Sequence, residues 1–184
     1  MPSYRYSSLP PKGDYIRLLR LLPDEYKTAP LQCKLCDYSL QKLDRTHLYE
    51  ALSYVWGSKY KFQSISIDEH DLPVTANLHA ALLRLRDRTF ERIIWVDAVC
   101  INQENLEERK QQVRLMAKIY SKAHRVIVWL GKNELDIERA LEDIRLAADD
   151  ESTKHSKEIN LEAILKLLQQ PWFQRIWVRE QTPN

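Results

Sequence analysis

The chain has 184 residues, 44% of them apolar and 29% charged, enough apolar material to bury the core of one domain and unlike a disordered chain. Its 28 basic and 26 acidic residues leave a net charge of only +2 with no block of one sign, so charge gives no case for nucleic acid. The Ser-, Pro- and Tyr-rich start, Met1 to Pro11, lacks the apolar region of a secretory signal, and no run approaches the roughly 20 apolar residues of a membrane-crossing helix, so a cytoplasmic protein with no membrane partner is expected.

Tyr15 to Leu22 is a β-prone apolar stretch closed by Pro23 and Asp24, and Leu31 to Leu40 alternates loosely enough to be a second strand. Within the second, Cys33-Lys-Leu-Cys36 has the spacing of half a zinc site. No second CxxC or paired histidine motif follows, and the motif does not open a helix as a redox pair would. Together with Cys100 these are expected to be ordinary thiols of a reducing compartment, with no metal.

Tyr49 to Trp56 is apolar and aromatic with Gly57 directly after it, a strand delivered into a tight turn. Phe62 to Ile67 and Asp71 to Val74 flank Asp68-Glu69-His70, which predicts a small hairpin with a solvated acidic tip. From Thr75 to Arg88, Leu78, Ala81, Leu82 and Leu85 recur at helical spacing, so an amphipathic helix capped by Thr75 is expected, with His79 partly exposed on it.

Ile93 to Val96 and Val126 to Leu130 are continuous apolar runs, the pattern of strands covered on both faces as in parallel sheets. Between them, Asn105 to Tyr120 places Leu106, Val113, Met116, Ala117 and Tyr120 on one helical face, and Asn105 with Glu108 resembles a capping box. Strand, helix and strand make a βαβ unit. Helices follow at Glu134 to Ala148 and Glu158 to Gln169, joined by polar Asp149 to Ser156 and closed by Pro171; the aromatic segment Trp172 to Val178 is expected to pack on the sheet. The sum is an α/β fold, a mainly parallel sheet flanked by helices with a small β-hairpin insertion. Residues 1–48 form N-terminal strands and lead-in, and 49–184 form the core of one structural domain.

Ligands of open α/β sheets bind at the carboxyl ends of the strands. Three segments end there in this reading: Ser53-Tyr54-Val55-Trp56-Gly57, Asp97 to Gln103, and Leu130 to Asn133. Asp97 directly follows a buried strand with Asn102 and Gln103 behind it, and either ties its own loop through hydrogen bonds or serves a ligand. The three glycines, Gly13, Gly57 and Gly131, cannot assemble a GxGxxG fingerprint or a P-loop, which argues against the usual dehydrogenases and NTPases. No GxSxG elbow surrounds Ser53, nothing beside Cys100 marks a nucleophile, and no cofactor is expected. Arginines such as Arg125, Arg175 and Arg179 read as solvated and the tryptophans as core, in preference to a nucleic-acid surface.

Tyr49-Glu-Ala-Leu-Ser-Tyr-Val-Trp-Gly57 resembles the first signature of the fungal heterokaryon incompatibility (HET) domain, and Trp95-Val-Asp-Ala-Val-Cys-Ile-Asn-Gln103 resembles its second. The second continues through Glu108-Arg109, Gln112-Val113, Met116, Ile119-Tyr120 and Ala123 to Gly131, and Trp172-Phe-Gln-Arg-Ile-Trp-Val178 resembles the third. The resemblance covers Tyr49 to Val178. It implies a fungal protein of non-self recognition, a form of innate immunity that ends in programmed cell death.

The family is distantly similar to TIR domains, whose fold is flavodoxin-like and some of which cleave NAD at the nicotinamide bond. NAD would then be a substrate. What that relation implies for this chain is Asp97 and Glu180 as catalytic carboxylates for an oxocarbenium-like ribose, with Ser53, Tyr54, Trp56, Gly57, Asn102 and Gln103 around the substrate. After Trp177-Val178 the family's order is a variable residue, Gln, then Glu; here it is Arg179, Glu180, Gln181, so Gln181 stands at the family's glutamate position. The chain stops at Asn184, where the resemblance leads one to expect more, as in a truncated product. The alternative to an enzyme is a signalling module acting by self-association or on a protein partner, and a third reading is an inert remnant.

Overall fold

The apolar run that begins at Tyr15 becomes the middle of a sheet. A computed structural model of the chain describes residues 1–41, 48–58, 60–131, 138–142, 144–145 and 161–174, and the chain divides after Trp129 into two units. In the first unit the elements follow as β1 (Tyr15–Leu21), β2 (Gln32–Ser39), β3 (Glu50–Tyr54), β4 (Gln63–Ile67), β5 (His70–Val74), α1 (Ala76–Leu85), β6 (Arg92–Trp95), α2 (Asp97–Cys100), α3 (Leu106–Lys122) and β7 (Arg125–Trp129). The seven strands form one sheet in the order β5-β4-β2-β1-β6-β3-β7.

The sheet is mixed, which corrects the expectation of a mainly parallel one. Among the described residues three of the six strand pairings are antiparallel, and they include the longest, β1 against β2 from Tyr15↔Ser39 to Leu21↔Cys33. β1 is also antiparallel to β6, through Leu19↔Ile94. Ile16, Leu18, Leu19 and Leu21 are all buried because a central strand is covered on both faces. A continuous apolar run reports that double cover and carries no information on strand direction.

The expected hairpin forms, with Ile67↔His70 closing a two-residue turn whose Asp68 and Glu69 both have positive φ, 46° and 65°, as a type I′ connection requires. It is continuous with the sheet, since β4 pairs in parallel with β2 through Gln32↔Ser66 and Cys33↔Ile67. Residues near the amino terminus lie along β5, where Asp71 donates its N–H to Pro2 O at 2.9 Å and Tyr4 donates to Asp71 O at 3.0 Å.

In α1 the Thr75 hydroxyl accepts the Leu78 N–H, and Leu78, Ala81 and Leu82 are buried, as the spacing predicts. α3 begins where expected, with the Asn105 side chain accepting from Glu107 and Glu108 N–H. Its buried face is different. Glu108, Gln112 and Ile119 turn inward, while Leu106 and Val113 are 58% and 55% exposed and Met116 and Tyr120 are only partly buried. Polar Glu108 and Gln112 can go inside because each has a partner, Arg17 for the first and the Tyr15 carbonyl at 2.8 Å for the second.

The second unit has helical residues at 138–142 and 144–145, the helix Leu161–Leu168 and a 3₁₀ turn Pro171–Gln174. Leu130, Ile164 and Phe173 pack around buried Ala140 and Leu167, and Trp172 meets Phe173 edge to face at 5.0 Å. The expected link Asp149 to Ser156 and the segment 175–178 lie outside the described residues. No helix among the described residues is long and apolar enough to cross a membrane.

Candidate functional site

β3, β6 and β7 run in one direction with β3 in the middle, through Ala51↔Trp95 on one side and Glu50↔Arg125 to Tyr54↔Trp129 on the other. Their carboxyl ends therefore share one rim, and the chain leaves it at Val55-Trp56-Gly57 and at Val96-Asp97. Those exits touch: Trp56 Nε1–H donates to Asp97 Oδ2 at 3.0 Å.

Asp97 is 9% exposed and opens the single turn α2. Its Oδ1 accepts the Ala98 N–H at 2.8 Å, and its main-chain carbonyl accepts the Gln103 side-chain amide at 2.8 Å. Gln103 thus latches the loop back onto the strand end. Asn102 shapes the same loop, its side-chain oxygen accepting the Glu104 N–H at 3.2 Å and its own N–H donating to Glu108 Oε1 at 2.8 Å.

Trp56 is 40% exposed. Gly57 follows it with φ of 72°, a conformation that suits glycine. Ser53 is half-buried and, two residues beyond Ala51, stands level with the point where Asp97 begins. The Tyr54 side chain is buried in the core cluster. Glu180 and Gln181 lie outside the described residues, as do Lys132 and Asn133, while Gly131 belongs to the second unit.

Three further residues hold this rim: sequence reasoning missed Asn77 and Arg17 and gave Glu108 a different role. Asn77, in the first turn of α1, donates to Val55 O at 2.6 Å and accepts the Trp129 Nε1–H at 2.9 Å, so one amide joins the exits of β3 and β7. An asparagine in the first turn of an otherwise apolar helix face was its only signal. Arg17 and Glu108 form a buried ion pair, NH1 to Oε1 at 2.6 Å and NH2 to Oε2 at 3.0 Å. Arg17 also donates to Cys100 O at 3.3 Å and Ser7 O at 2.5 Å and lies 5.1 Å from the Tyr6 ring centre. Burial opposes the charge of Arg17, yet the Glu108 carboxylate holds its basicity above the ordinary value. The signal was an arginine inside the apolar run Tyr15 to Leu21, because a buried cation needs a partner. Glu108, expected to fold back in a capping box, is drawn to this cation and to Asn102 N–H instead.

The opposite ends of the same strands carry a second ion cluster. Glu50 accepts from Arg92 Nε at 2.8 Å and also pairs with Arg125, fixing the starts of β3, β6 and β7 in register. Burial pushes the thiols of Cys33 and Cys100 up to about 12, which leaves almost no thiolate near neutrality.

The arrangement offers a carboxylate that accepts N–H bonds from Trp56 and Ala98 beside an aromatic ring, both at strand ends. Such a group can stabilise positive charge on a ligand. A family model described as Heterokaryon incompatibility protein (HET) matches residues 49–180. A Neurospora crassa protein, heterokaryon incompatibility protein 6, OR allele, is 37% identical over 153 residues, 76% of this chain and 22% of that protein. The chain thus spans less than a quarter of that relative's length. No solved structure matches the chain.

Proposed function

Because this chain belongs to the heterokaryon incompatibility family, we propose that it acts in fungal non-self recognition and programmed cell death, in the cytoplasm, by TIR-like cleavage of the nicotinamide–ribose bond of NAD. The supporting observation is the placement of Asp97, a nearly buried carboxylate bonded to Trp56 where two neighbouring parallel strands end. When the glycosidic C–N bond breaks, its electron pair leaves with nicotinamide and positive charge spreads over the ribose carbon and ring oxygen. A fixed carboxylate in a poorly solvated site lowers the energy of that charge. Water then adds its oxygen to the carbon and releases a proton, giving nicotinamide and ADP-ribose. Glu180 is proposed as the second carboxylate, with Ser53, Trp56, Gly57 and Gln103 near the substrate.

The test is nicotinamide release from NAD by pure protein, followed by chromatography. Asp97→Asn retains an oxygen for the Trp56 hydrogen bond and should lower release by about 100-fold or more, the loss typical of a charge-stabilising group. No release from the wild-type chain at high concentration, or equal release by the variant, overturns the enzymatic reading.

The second reading is a non-enzymatic module that self-associates or docks on a protein partner. It is favoured by Leu106 and Val113, which are exposed two turns apart on α3. Toxicity in a fungal host that survives Asp97→Asn would support it.

A further inference from the structure

Trp56 combines two properties. Its polar corner is used, since Nε1–H is bonded to Asp97, yet 40% of the residue is exposed. What its side chain shows to solvent is therefore hydrocarbon. The hydrogen bond to a carboxylate also enriches the indole in electron density, and the face of tryptophan is the aromatic surface that attracts cations best. The ring is held in place beforehand by the Asp97 bond, and the backbone that precedes it by the bond from Asn77 to the Val55 carbonyl at 2.6 Å. A preordered ring loses little entropy when a ligand lands on it.

Electron-rich face, fixed orientation and a carboxylate at the ring edge together select a ligand that is flat and positively charged. We infer that Trp56 and Asp97 form a subsite for a planar cationic heterocycle of the N-alkylpyridinium class. This deepens the proposed function and rests on it for the identity of the substrate: the nicotinamide end of the dinucleotide lies at Trp56, and the adenine end lies elsewhere. One chemical consequence follows. The pyridinium ring becomes neutral nicotinamide when the C–N electron pair moves onto it, so its attraction to Trp56 and Asp97 weakens at the moment it becomes a product.

The test uses 1-methylnicotinamide, which keeps the cation, and nicotinamide, which lacks it. Each is titrated into the ¹⁵N-labelled chain while the Trp56 indole N–H resonance, assigned with Trp56→Phe, is followed. The cation should shift that resonance saturably and bind at least about tenfold more tightly than the neutral ring, the scale of a desolvated cation–π contact. Asp97→Asn should shrink that preference to threefold or less. Equal binding of the two rings, an unmoved Trp56 resonance, no binding of either, or a preference unaffected by Asp97→Asn overturns the subsite, and the wild-type comparison decides even if the variants fail to fold. NAD cleavage without preference for the cation sinks the subsite and leaves the proposed reaction standing. Preference for the cation without NAD cleavage sinks the reaction and leaves the subsite.

Discussion

Breaking the Arg17–Glu108 pair from either side should cost far more than removing it whole. Arg17 is 1% exposed and Glu108 is 9% exposed, so neither charge can be rehydrated cheaply once its partner is gone. Loss of one member of a buried pair typically costs about 3–5 kcal/mol. Glu108→Gln leaves the cation with the Ser7 and Cys100 carbonyls and the Tyr6 ring, which offsets part of the loss and points to about 3 kcal/mol on that scale. Arg17→Met leaves Glu108 with the Asn102 N–H at 2.8 Å and orphans the two carbonyls, pointing to about 4 kcal/mol. In Arg17→Met/Glu108→Leu no charge remains, and because Ser7 is exposed its carbonyl can turn to water, so the residual cost is the unpaired Asn102 N–H and Cys100 carbonyl, about 2–3 kcal/mol. Urea unfolding of the four proteins measures the cycle. The expected signature is a double variant more stable than either single variant. A double variant less stable than both singles, or singles within about 1 kcal/mol of wild type, refutes the reasoning.

Asn77→Ala deletes the bonds to Val55 and Trp129 and should destabilise by about 1–3 kcal/mol, with faster hydrogen exchange at the Trp129 indole as the local readout. Gly57→Ala places a Cβ in ordinary contact, 3.6 Å from Asn77 Cβ, so its cost should be the left-handed backbone alone, about 1–2 kcal/mol, and Gly57→Asn should cost less; a larger loss in thermal unfolding argues against that account. At pH 8 a disulfide reagent should modify Cys36, the exposed thiol, well before Cys33 and Cys100, and comparable rates at all three by mass mapping contradict the burial. The Thr89 and Phe90 N–H bonds hold the Asp87 carboxyl below its ordinary 3.8. Its contribution is therefore present above that value and fades as pH falls through the depressed one. The Thr89 and Phe90 amide resonances should move with a midpoint below 3.8, and a midpoint at or above it fails the prediction.

The strands were legible because apolar runs and turn residues mark them: β1, β2, β3 and the β4–β5 hairpin fall within a residue or two of the boundaries read from Tyr15, Leu31, Tyr49 and Asp68. Strand direction was not, since Ile93-Ile94-Trp95 reads the same beside a parallel or an antiparallel neighbour and here has β3 on one side and β1 on the other. The face of α3 was misread for a different reason. Apolar spacing put Val113 inside, yet the helix buries Glu108 and Gln112, whose partners Arg17 and Tyr15 lie some ninety residues away in sequence. A local pattern cannot register a charge neutralised from that distance. At the rim, Trp56 and Asp97 were named from their places after strands, whereas Asn77 contributes through a helix that the strand pattern does not mention.

The central position of β1 also governs the order in which the molecule can assemble during synthesis. β1 and β2 emerge first and can zip together as a ribbon, but the other side of β1 waits for β6, and β3 stays unpaired until β6 and β7 arrive. At roughly 5–20 residues per second, a nascent chain displays bare strand edges for several seconds. Edges of that kind recruit neighbouring chains, so output of native protein in a foreign host should rise when a chaperone shields the growing polypeptide.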